Sequence, residues 1–80
     1  MTEVERALLP SLVEKVVTLE TAQGDRLLAK ILFVFDEGET PDLFCVEAEP
    51  GPQGAWVEKA AAGHSILLAD IASVKVEPNQ

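Results

Sequence analysis

Three groups of side chains in this eighty-residue sequence are of types that chemistry uses. The first is Asp36, Glu37, Glu39 and Asp42, four carboxylates within seven positions. Clustered oxygens suit Ca²⁺ or Mg²⁺, but a cation loop needs alternating ligands and a glycine set for its sharp turn, and this run fits no such template. It reads as a solvated connection that keeps an apolar hairpin soluble and discourages edge-to-edge pairing. The second is His64, the only histidine, with Ser65 beside it. On a strand, neighbours point to opposite faces, so the two do not make a base and its nucleophile. The third is Cys45, alone in the run Leu43-Phe44-Cys45-Val46. A single cysteine in an apolar strand is read as a small buried hydrophobe rather than a reactive thiol. No catalytic, metal or phosphate-binding motif rises above this background. The expectation is a non-enzymatic chain without a cofactor.

Charge narrows the partners. Fourteen acids against six bases give a formal charge of −8. Between Lys30 and Lys59 there are seven carboxylates and no base. The bases Arg6, Lys15, Arg26, Lys30, Lys59 and Lys75 are scattered singly. Binding to nucleic acid rests on Lys and Arg displacing counterions, so this composition argues against nucleic acid and against anionic membranes. It is compatible with a basic protein partner. One cysteine forms no internal bridge, which points to a reducing compartment. There is no basic segment followed by an apolar core of the signal-peptide kind, and no run near the ~20 apolar residues that span a bilayer. A soluble cytoplasmic protein is expected.

Eighty residues suit one domain, 1–80, with a thin stability margin that oligomerisation commonly widens. Thr2 and Glu5 match a capping box, and Val4, Ala7 and Leu8 share one helical face, so a short helix is expected over 3–9, stopped by Pro10 or restarted from it. Residues 14–21 turn to period two with β-branched residues, Gln23-Gly24-Asp25 is a turn, and 26–35 is a long strand. The acidic segment connects it to a third strand at 43–48. Glu49 to Gly54, with two prolines and two glycines, is loop. A short strand follows at 55–58, then an irregular link where Ala60-Ala61-Ala62 has helical propensity. A further strand is expected over 64–69, a tight 3₁₀ turn at Asp70–Ser73, and a closing strand at 73–77. The last three residues are expected to fray.

Val17-Thr18-Leu19-Glu20-Thr21-Ala22-Gln23-Gly24-Asp25, followed later by Ile66-Leu67-Leu68-Ala69-Asp70-Ile71-Ala72-Ser73-Val74-Lys75-Val76, resembles the first strand and turn and the closing element of the Sm-like and SH3-like small β-barrels. The resemblance covers most of 13–77 and implies a mainly β fold, a five-stranded barrel with a short N-terminal helix. Sm-like proteins form rings and bind RNA through an Asp and an Asn on the second and third strands and a base near the fourth. Here no Asn occurs before Asn79, and no residue carries over. The resemblance therefore implies a barrel and an oligomer, and Sm-like RNA binding stands only as the alternative function.

The stretch Leu27–Phe35 organises the rest. If Ala29, Ile31, Phe33 and Phe35 face inward, then Leu28, Leu32 and Val34 face out, with Leu43 and Cys45 extending that second face. A strand face exposed to water should be polar. The face is therefore covered by the Val4–Ala7–Leu8 side of the helix, by a second copy or by a protein partner. Leu28, Leu32, Val34, Leu43 and Trp56 are the candidate interface residues, with a barrel-end core position the alternative for Trp56. The expected function is an interaction or assembly module that self-associates through apolar strand faces.

Overall fold

The computed structural model describes residues 1–78, and of residues 60–62 only the backbone. The fold is mainly β. One helix, α1 (Glu3–Leu8), precedes five strands: β1 (Val16–Thr21), β2 (Arg26–Phe35), β3 (Asp42–Pro50), β4 (Trp56–Leu67) and β5 (Ile71–Val76). They form one antiparallel sheet in the order β4-β3-β2-β1-β5, so each strand neighbours its successor until β5 folds back beside β1. Among the described residues no pairing joins β4 to β5, and these two strands are the sheet's edges. Asn79 and Gln80, two of the three residues expected to fray, lie outside the described residues.

The capping box forms. The Thr2 hydroxyl accepts the Glu5 N–H at 3.1 Å, and Glu5 Oε1 accepts the Thr2 N–H at 3.4 Å. Pro10 does not simply stop the chain. Its fixed φ suits the first turn of the 3₁₀ segment Leu9–Leu12. That segment, rather than the helix, reaches the core: Leu9 is fully buried, while Val4 is 70% and Leu8 52% exposed. The helix face expected to cover the sheet therefore stands in solvent.

Glu5 has a second task. Its Oε2 accepts the Val74 N–H at 2.9 Å, and the Met1 ammonium donates to the Ile71 carbonyl at 3.3 Å. Two backbone groups on the outer edge of β5 are thus satisfied from within the chain, which blunts that edge against pairing with another strand. The Val74 N–H, seconded by that of Thr2, holds the Glu5 carboxyl below its ordinary 4.5. A depressed carboxyl contributes stability that is present above the unfolded value and lost as pH falls through the folded one. Glu5→Gln should therefore lower Tm at neutral pH and flatten the loss of Tm below about pH 4.5. Parallel Tm–pH curves for the two proteins would refute this role.

The core is formed by Leu9, Val17, Leu19, Ala29, Ile31, Leu43, Cys45, Leu68 and Ile71, with Val34 and Ile66 packed against it. In β1, alternation delivers Val17 and Leu19 inward as expected. In β2 it breaks. Ile31 pairs with Cys45 but Phe33 pairs with Phe44, so Leu32 is an extra residue in the ladder, a β-bulge. The bulge reverses the faces beyond it. Val34 turns inward, and Phe33 and Phe35, expected in the core, turn outward at 54% and 55% exposure. Leu43 and Cys45 pair with the inward residues Val34 and Ile31, and paired residues share a face, so both lie in the core and not on the second face.

A larger irregularity lies in β4. Val46 pairs with Gly63 and Ala48 with Glu58, so residues 59–62 stand against Glu47 alone. The expected pair of strands, 55–58 and 64–69, is one strand with a bulge across the alanine run. Helix propensity amounts to a few tenths of a kcal/mol per residue and yields to ladder formation along β3. The following 3₁₀ turn is Leu68–Asp70, slightly earlier than expected, and β5 begins at Ile71. At the other end, Glu14 adopts φ 71°, so β1 starts at Val16 rather than at 14.

Candidate functional site

The bulge at Leu32 places three aromatic rings on the outward face. Phe33 and Phe35 share that face of β2, their ring centroids 5.4 Å apart and tilted by 43°. Phe44 lies directly across the ladder from Phe33 and is 44% exposed. Its ring passes over β4 at Gly63, where a Cβ would stand 2.9 Å from Phe44 Cζ, so glycine is what admits it. In the next row Phe35 pairs with Asp42 and Asp42 with Leu67, which is also exposed. Phe33, Val34 and Phe35 line a shallow hollow of about 270 Å³, and Asp36 and Glu37 close its end.

The five candidate interface residues divide. Leu32, the bulge residue, is exposed and has no partner across the β2–β3 ladder. Leu28 is half-buried on the outward face opposite Thr18. Val34 is packed against the core and Leu43 is fully buried within it. Trp56 is half-buried and its indole N–H donates to the Pro78 carbonyl at 3.1 Å, well removed in sequence from the aromatic cluster. Phe33 and Phe35, expected in the core, and Phe44, paired with Phe33, are the ones the fold brings together. In a run apolar at nearly every position, periodicity carries no mark of where a bulge falls.

The acidic connection is tied at both ends. Arg6 Nε and Nη2 both reach Asp36 Oδ1, at 2.9 and 2.6 Å, and the Ser65 hydroxyl donates to Asp42 Oδ2 at 3.0 Å. Among the described residues no cluster of three or more potential ligands is arranged to hold a metal ion. No described base pairs with Glu37, Glu39 or Asp42.

One constellation was invisible in the sequence. His64 lies across the ladder from Cys45, and its Nε2 is 3.1 Å from Glu47 Oε2. Thiol, imidazole and carboxylate are the residue types of nucleophilic catalysis. The thiol is wrong for it. Cys45 is fully buried, and burial first, then the Glu47 charge, push it up to about 11. A nucleophilic cysteine needs the opposite shift, so Cys45 stays a protonated core residue at neutral pH.

A second hollow, about 360 Å³, lies where the entry to β1 meets the start of β4. Val16 and Ala48 form its buried floor, Trp56 a wall, and Lys15, Lys30, Glu14 and Glu58 its rim. Lys30 and Glu58 approach to 3.8 Å. The rim charges offset one another, and the lining has neither a histidine nor a hydroxyl nucleophile.

No helix among the described residues is long and apolar enough to cross a membrane. Compared with known proteins, the chain matches no family model, no curated protein and no solved structure, so the geometry alone carries its functional reading.

Proposed function

We propose that this chain is a non-enzymatic interaction and assembly module whose working surface is the outward face of β2, β3 and β4. The observation that supports it most is the Phe33–Phe35–Phe44 cluster, three rings about half exposed and adjacent across two strands. Contiguous exposed apolar surface of this kind marks interaction sites. In a small domain with a thin stability margin, covering it also stabilises the fold.

The homotypic mode is self-association through this face. Each copy carries −8, so pairing works against charge repulsion and is favoured by salt. Sedimentation velocity on the full chain should show a concentration-dependent mass that increases as salt is raised from about 0.01 M to about 1 M, where the screening length shrinks from about 30 Å to about 3 Å. A strictly monomeric mass at high concentration in both buffers removes self-association.

The strand order, with β5 returning to β1, supports a second reading, an Sm-like or SH3-like barrel that binds RNA. The bases speak against the RNA part. Arg6, Arg26 and Lys30 are each paired to a carboxylate, and the edge of β5 is partly occupied by Met1 and Glu5. Retention on single-stranded RNA at low salt, released by raising it, would favour this alternative over the protein-binding one.

A further inference from the structure

We infer that the aromatic face takes a cationic amphipathic segment of another protein, an inference that rests on the reading of this face as a docking surface. The apolar cluster is bounded on one side by carboxylates. Asp42 sits in the same outward row as Phe35, and Asp36 and Glu37 continue β2 directly from it and close the end of the hollow. Arg6 neutralises Asp36, while Glu37, Glu39 and Asp42 have no described base as partner. At the far side of the face Lys30 is engaged by Glu58. The surface thus presents aromatic rings beside unneutralised negative charge.

Its complement is a segment with leucine-like side chains on one face and Lys or Arg along the margin. The apolar face buries the rings, the bases meet the hairpin carboxylates, and a base above a phenylalanine ring adds a cation–π contact. Other occupants fit less well. A second copy brings another −8, and both an anionic bilayer and a nucleic acid bring like charge to the same hairpin. Complementary charge also speeds encounter and rejects acidic competitors, so the hairpin acts as a selectivity element for the aromatic site beside it.

The test uses the full chain and two fluorescently labelled amphipathic peptides of equal apolar content, one Lys/Leu and one Glu/Leu, read by anisotropy. The Lys/Leu peptide should bind at least about tenfold more tightly than the Glu/Leu peptide, and its affinity should fall as salt rises. Glu37→Gln with Asp42→Asn should weaken it several-fold without lowering Tm. Phe33→Ser with Phe44→Ser should abolish it. Three results overturn the cationic assignment and leave the docking face standing. One is equal binding of both peptides, lost in the Phe variant; another is binding that strengthens with salt. The third is binding of neither peptide combined with self-association that the Phe variant loses, which makes a second copy the occupant. Lys/Leu binding unchanged in the Phe variant overturns the inference as non-specific attraction to an acidic protein. Binding of neither peptide by a strictly monomeric chain overturns the docking surface itself.

Discussion

Ile31→Ala should remove about 2–5 kcal/mol of stability, whereas Phe33→Ala, two residues along the same strand, should cost only about 1 kcal/mol. Ile31 is fully buried at the middle of β2, and its backbone ties the sheet to the chain before β1. Its carbonyl accepts the Glu14 N–H at 2.6 Å and its N–H donates to the Lys15 carbonyl at 3.1 Å. Truncation leaves a void among Ala29, Leu43 and Cys45 in a backbone held from both sides, so little collapse is available to reduce the cost. At roughly 0.05–0.15 kcal/mol per residue, a chain of this length has about 4–12 kcal/mol in all, so the variant is poorly folded or unfolded in the lower part of that range. Phe33 keeps more than half its surface in water, so its ring contributes correspondingly little burial. Urea midpoints at unchanged m-value compare the two directly. Strict alternation along β2 would bury both residues alike; equal costs for the two substitutions would therefore refute the bulge at Leu32.

Features fixed by one or two residues were legible: the Thr2–Glu5 box, the Gly24 turn and the extent of β2 all follow from local chemistry. The inward set Val17 and Leu19 was legible because Thr18 and Glu20 mark the other face. From Leu27 to Phe35 only Lys30 is polar, so no residue on the far side of Leu32 reports which face is wet. One inserted position then exchanges Val34 for Phe33 and Phe35, and the candidate surface moves with it. The alanine run failed differently. Its helical preference is weaker than the cross-strand pairing that only the assembled sheet provides. The Cys45–His64–Glu47 juxtaposition depends on the β3–β4 register, which the bulge across residues 59–62 sets and no spacing in the sequence encodes.

Phe33→Ser combined with Phe44→Ser should lower the self-association constant by at least about a hundredfold while moving Tm by only a few degrees. A phenylalanine buries at least about 150 Å² when fully enclosed, so half-exposed rings offer roughly 80 Å² each and the three together about 240 Å² per copy. Two copies meeting face to face then withdraw about 480 Å², a gross gain near 12 kcal/mol. Association itself costs about 4–15 kcal/mol before any charge repulsion. The balance is small, which is why self-association is expected to need high concentration and salt. It is also why removing two of the three rings, about 8 kcal/mol of that gross gain, leaves nothing to hold the copies together. The folded chain loses far less, since those ring faces are already wet in the monomer and neither residue belongs to the buried core. Serine keeps the β3–β4 approach open at Gly63, where the Phe44 ring now lies. Sedimentation of the variant beside the parent chain in high salt reads the first quantity and thermal melting the second. A variant that still associates like the parent would place the contact surface elsewhere, the outer edge of β4, which pairs only with β3 among the described residues, being the other candidate.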